Sequence, residues 1–207
     1  MGVDLPAHRS TQATLVHMLF DLRMRNPFTG NRPGLSICDW EDMHVGGISR
    51  ETKCTDGILY RIILSGFVGW GTSIFIEYVP PTVEVFKIER CSLHHEFNAR
   101  VLPRDAVTVS LVLNRLYGNP RLSGLPRHIE ELDLSHNALC GQLFLVHLPK
   151  RIRLIDLSRN NITSKSVLYK DLPASLTVVR IDHKAGRIHP PRLEEGLADV
   201  ERIFERA

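Results

Sequence analysis

No run of this chain is both long and apolar enough to cross a bilayer as a helix. The longest uncharged stretch, between Arg61 and Glu77, reads IILSGFVGWGTSIFI and falls short of the roughly 20 apolar residues a span needs. Its three glycines and three serines or threonines fit a buried pair of strands better. Cysteine is scarce: Cys38, Cys54, Cys91 and Cys140 are too few and too far apart for a disulfide scaffold or a CxxC zinc site, and read as reduced thiols. The opening MGVDLPAHRSTQATLVHMLFDLRMRN lacks the apolar core and small-residue cleavage site of a secretory signal. Pro6 stands where a myristoylation motif after Gly2 wants Ser or Thr. As written the chain reads as cytoplasmic; an incomplete N-terminus would place it outside the cell or on its surface.

Motifs of chemistry are missing as well. There is no GxSxG elbow, no HExxH, no phosphate-binding loop and no dinucleotide fingerprint. The ten histidines are dispersed. The adjacent His94 and His95 point apart in an extended chain, and His136 and Cys140 lack the further ligands a metal needs. The expectation is a non-enzymatic protein with no cofactor and no metal. Basic residues outnumber acidic ones by only 26 to 23, for a formal charge of +3, and form no concentrated stripe in the sequence. No nucleic-acid partner is therefore expected. The 43% hydrophobic and 24% charged composition is that of a folded, soluble chain.

What the chain does have is a period. Leu102-Pro103, Leu125-Pro126, Leu148-Pro149 and Leu172-Pro173 open units of 23, 23 and 24 residues, and Val79-Pro80 opens another 23 residues upstream. Fixed periods in the range of about 20 to 50 residues signal stacked repeats. After each proline comes a second pattern. IEELDLSHNAL places Ile129, Leu132, Leu134 and Leu139 around Asn137, and IRLIDLSRNNI places Ile152, Ile155, Leu157 and Ile162 around Asn160. Earlier units give Ala106, Val109, Leu111, Asn114 and Leu116, then Val83, Phe86, Ile88, Cys91 and Leu93. The last gives Leu176, Val179 and Ile181, with Lys184 where Asn is expected.

This LxxLxLxx(N/C)xL pattern resembles that of leucine-rich repeat proteins, over residues 58 to 183, with LYRIIL as a degenerate first unit. The resemblance implies an α/β solenoid, mostly β: an arc with one short parallel strand per repeat on its concave face and little helix on the convex side. The alternation itself puts both leucines of each LxL on one side of a strand. One unit cannot bury them alone, so neighbours must stack. An Asn carboxamide both donates and accepts, so Asn114, Asn137 and Asn160, with Cys91 as a weaker substitute, are expected to form a ladder satisfying backbone groups at the inner corner. NALCGQLFL and NRLYGNPRL resemble the segment after the Asn in plant-type repeats, with turns at Gly118 and Gly141 and a second extended segment at Leu143 and Leu145.

Both ends of a stack need covering. Residues 1–57 are assigned to an N-terminal cap, with a helix over 10–24 and then a loop containing Trp40 and two cysteines. CDWEDMHVGGISRETKCTDG is similar to the N-terminal cap of extracellular leucine-rich repeat proteins, which implies that Trp40 plugs the first unit and Cys38 pairs with Cys54. The array occupies 58–190. Residues 191–207 are expected to form an amphipathic cap helix with Leu193, Leu197, Val200 and Phe204 on one face.

Function is expected on the concave face, where repetition turns single positions into a surface. The candidate partner-binding residues are Lys87, Arg90, Glu131, Asp133, His136, Asp156, Arg159 and Arg180. The leading reading is a monomeric scaffold binding a protein partner. The alternatives are a secreted or surface recognition protein and the truncated regulatory part of a larger enzyme. Asn161-Ile162-Thr163 is a glycosylation sequon, relevant only to a secreted chain.

Overall fold

A computed structural model describes residues 37–39, 42–45, 47–67, 74–162, 166–182, 187–189 and 204–206. The expected helix over 10–24, Trp40 and most of 191–207 lie outside these residues.

The chain starts as antiparallel sheet. Strand β1 (Met43–Val45) pairs with β2 (Ile48–Thr55), and β2 pairs with β3 (Ile58–Ser65). The link between β2 and β3 is Asp56-Gly57, with φ of 52° and 77°. Two left-handed residues in a row match the right-handed twist of a hairpin, and Asp-Gly is the pair that adopts them most readily. From β3 onward the pairing is parallel, and the chain coils. Each coil lays down one short strand: β4 (Val85–Glu89), β5 (Thr108–Ser110), and after β6 (Tyr117–Gly118) on the far side, β7 (Glu131–Asp133). Two more far-side strands follow, β8 (Ala138–Leu139) and β9 (Phe144–Leu145). Then come β10 (Leu154–Asp156), β11 (Ser166–Tyr169), β12 (Val178–Ile181), β13 (Arg187–His189) and β14 (Phe204–Arg206).

The result is a β-solenoid of about five turns. Its main sheet has nine strands in the order β1-β2-β3-β4-β5-β7-β10-β12-β14. The far side carries a three-stranded sheet, β13-β11-β9, and a two-stranded one, β6-β8. The second extended segment anticipated at Leu145 is thus β9. Among the described residues the only helical pieces are four 3-10 turns, Ile37–Asp39, Ile76–Tyr78, Ala99–Val101 and Leu122–Gly124.

The period maps onto the coil one unit per turn. Val109 faces Phe86 and Leu132, and Ile155 faces Leu132 and Val179. The apolar positions of the pattern that follows each proline, and those of Leu59, Ile62 and Leu64 before it, are at most 5% exposed, apart from Cys91 at 8%. Burying such a side chain contributes about 1.5–3 kcal/mol, but only because the next coil lies on top of it. The prolines close each coil in the same way. The carbonyls of Pro80, Pro103, Pro126, Pro149 and Pro173 each accept a hydrogen bond from the N–H three residues on, at 3.0–3.2 Å. Proline suits that turn because its φ is preset and it has no N–H to leave unpaired.

Several expectations change. Of the segment from Ile62 to Ile76, expected as a pair of strands, Ile62–Ser65 finish β3 and Ile76 begins a 3-10 turn, while residues 68–73 lie outside the described ones. The cysteine-containing loop is instead largely strand, β1 and β2. Phe204 does not sit on a helix. Phe204–Arg206 extend along β12, pairing Val179 with Phe204, Arg180 with Glu205 and Ile181 with Arg206, so the open backbone edge of β12 gains ladder bonds that a helix could not supply. Cys38 and Cys54 are joined by a disulfide, the pairing implied by the cap resemblance, in place of the four reduced thiols read from their number and spacing. Cys91 and Cys140 are free.

Candidate functional site

The inner corner is built by one side chain per turn. Asn137 Nδ2 donates to the carbonyls of Leu134 (3.1 Å) and Ser135 (3.2 Å) in its own turn and of Leu111 (2.9 Å) in the turn before. Its Oδ1 accepts from Leu116 N–H at 3.0 Å. Asn160 repeats this with Leu157, Ser158, Leu134 and the N–H of Leu139. Asn114 bonds Leu111, Val112 and Ile88, and accepts from both Cys91 and Leu93 N–H at 3.1 Å. Cys91 makes the thinner version, its Sγ 3.1 Å from the Glu89 carbonyl and 3.7 Å from that of Leu64. Burial pushes the Cys91 thiol up from 9.0 to about 11. Asn114, Asn137, Asn160 and Cys91 thus stand at the same corner of successive turns.

A period-2 strand cannot aim both Leu134 and Asn137 inward, since they are three residues apart. The phase is corrected by a left-handed residue just before each ladder position: Arg90 (φ 54°), Leu113 (56°), His136 (55°) and Arg159 (58°). Each costs on the order of 1 kcal/mol in local strain. The N–H of each is caught by the following turn: Arg90 by Val112, Leu113 by Ser135 and His136 by Ser158, at 2.9–3.2 Å. The kink also throws the side chains outward, and all four are exposed.

The structure therefore divides the eight candidate residues. Arg90, His136 and Arg159 project together along the kink column, with Leu113 between them at 48% exposed. Lys87, Asp133, Asp156 and Arg180 lie in one column of the sheet, in register through Ser110. That column is largely occupied with itself. Asp156 is buried, and its Oδ1 accepts from Ser158 N (3.0 Å) and Ser158 Oγ (2.6 Å). Asp133 Oδ1 accepts from Ser135 N at 2.9 Å. Arg180 bridges Asp156 (3.4 Å) and Glu205 (2.7 Å), and Glu131 meets Arg153 at 3.3 Å. Two residues beyond Asp133 and Asp156, Ser135 and Ser158 are buried as well.

The role of one residue, Asp182, was not expected from the sequence. Asp182 sits a turn beyond Ser158, and its carboxylate accepts from Arg159 N (2.7 Å) and Asn160 N (2.9 Å). It does for Arg159 what backbone carbonyls do for the earlier kinks. The signal was available: an acid placed two residues before Lys184, in the unit where the ladder Asn is missing. Among the described residues, no three His, Cys, Asp or Glu side chains gather as a metal site, and no helix is long and apolar enough to cross a membrane. No protein-family profile, curated protein or solved structure matches the chain.

Proposed function

We propose that this protein is a leucine-rich-repeat type of interaction module that binds a protein partner through the kink column of its main sheet, without catalysing a reaction. The supporting observation is the row Arg90, Leu113, His136 and Arg159. These side chains are exposed, differ from turn to turn while their backbone does not, and include two arginines and an exposed leucine. Arginines flanking an apolar anchor suit a protein interface. By contrast Asp133, Asp156 and Arg180 are engaged within the sheet, so they act as support for the surface.

The test is a comparison of capture from the source cell by the wild-type chain and by Arg90→Glu/His136→Glu/Arg159→Glu, with thermal unfolding used to verify that the variant is folded. A specific co-purifying protein lost with the triple variant but kept with Phe144→Ser, on the far side, supports the reading. A partner retained by the triple variant and lost with Phe144→Ser overturns it.

A cell-surface or secreted setting for the same module is favoured by the Cys38–Cys54 disulfide, because such bonds persist in oxidising compartments. The exposed sequon residue Asn161 is compatible with it. Non-reducing peptide mapping of the native protein decides: a linked Cys38–Cys54 peptide supports this setting, and both cysteines alkylated argues for the cytoplasm.

A further inference from the structure

The sequence disperses its basic residues, but a 23-residue period brings some of them back together. Three of the four Leu-Pro pairs are followed by a basic residue, Arg104, Arg127 and Lys150, and the last by Ala174; the three basic residues are exposed. Successive coils place equivalent positions about 5 Å apart. Arg104 and Arg127 line a cleft of about 550 Å³ at the Leu-Pro edge, which is also lined by Arg100 and Asp105. The cleft lies where the 3-10 turns Ala99–Val101 and Leu122–Gly124 pack together.

Gly124 lets Arg100 in: a Cβ there would come within 2.7 Å of Arg100 Cγ. Arg127 Nε donates to His128 Nε2 at 2.8 Å, which fixes one side of the guanidinium and leaves its terminal nitrogens for another acceptor. Among the described residues none of the three arginines is in an ion pair. Three guanidinium groups against the single Asp105 carboxylate leave an excess of two positive charges in the lining. A phosphate monoester carries a charge of about −1.5 to −2 at neutral pH and three acceptor oxygens, and guanidinium forks match it in geometry. Leu102, Leu125 and Pro126 complete the lining and offer apolar surface to whatever bears the phosphate.

We propose that this cleft binds a small molecule carrying a phosphate monoester beside an apolar group. It lies at the Leu-Pro edge of the coil, away from the kink column, and does not depend on the function proposed for that column. Phenyl phosphate is the probe, titrated into the full chain by calorimetry, with inorganic phosphate and benzoate for comparison. The expected result is saturable one-to-one binding, weaker for inorganic phosphate and absent for benzoate. Arg104→Ala/Arg127→Ala should weaken it about tenfold or more, the loss of roughly one charged hydrogen bond, with an unchanged melting temperature. Gly124→Ala, which displaces the Arg100 stem, should weaken it too, while Arg90→Ala/Arg159→Ala should not. Absence of saturable binding, equal binding of benzoate, or full affinity in the Arg104/Arg127 double variant would overturn the proposal.

Discussion

At the scale of single residues, the repeat is held by two choices that look unrelated in sequence: an amide at the inner corner and a left-handed kink one residue before it. The kink explains why the residue preceding the ladder position varies freely in chemistry, being Arg90 before Cys91 and Leu113, His136 or Arg159 before an Asn, although its backbone does not vary. Leu113 tests the strain directly. Leu113→Gly should leave stability within about 0.5 kcal/mol or raise it, because glycine adopts φ near 56° without a Cβ clash. Leu113→Val should lose on the order of 1 kcal/mol or more, a β-branched side chain being worse there; urea unfolding of the pair checks the order. Cys91 gives a pH test. Its folded-state thiol is raised to about 11 from 9.0, so the neutral form is favoured by folding. That contribution is intact below pH 9 and is lost as pH rises toward 11, by on the order of 2 kcal/mol. Wild type should thus lose stability relative to Cys91→Ala between pH 9 and 11. Parallel curves for the two would contradict the burial of that thiol.

At the scale of elements, the two ends of the coil are closed by sheet. At the start, β2 runs antiparallel to β3 and ends the parallel stack. Gly66 is required at that junction, since it has φ of 80° and a Cβ would lie 2.3 Å from the Gly47 carbonyl oxygen. At the other end β14 covers β12, with Phe204 packed near the Tyr169 ring (6.4 Å between centroids) and Glu205 holding Arg180. Deleting residues 204–207 removes those contacts and bares the backbone edge of β12. We expect a melting temperature lower by about 5 °C or more and concentration-dependent self-association, read by light scattering. Unchanged melting and a monomeric profile would mean that β14 contributes nothing to the end.

At the scale of the whole molecule, the coil was legible in the sequence and the ends were not, for a physical reason. A stack repeats its constraints every turn, so Ile129, Leu132 and Leu134 announce themselves again as Ile152, Ile155 and Leu157. An end occurs once. The hairpin of β2 and β3 left only Thr55-Asp56-Gly57 as a turn signal, and the alternation of LYRIIL looked like one more repeat unit. Phe204 looked helical because its spacing from Val200 is helical, whereas pairing with β12 is a tertiary contact that local pattern does not encode. The candidate surface was half legible. The columns followed from register, but their exposure did not, because Asp133 and Asp156 turn back onto Ser135 and Ser158. The kink that exposes His136 and Arg159 leaves no compositional mark. Likewise the cleft arginines are 23 residues apart and meet only through the coil.

Each ladder amide closes the corner of the turn before its own. Site-resolved amide hydrogen exchange in the wild type and in Asn137→Ala tests it most directly. Asn137 Oδ1 accepts from Leu116 N–H, while Leu139 N–H is held by Asn160. The substitution should accelerate exchange at Leu116 far more than at Leu139, with an overall loss of about 1–3 kcal/mol for each buried group left unpaired. Equal protection of Leu116 in both proteins, or a loss confined to residues of the substituted turn, would contradict it.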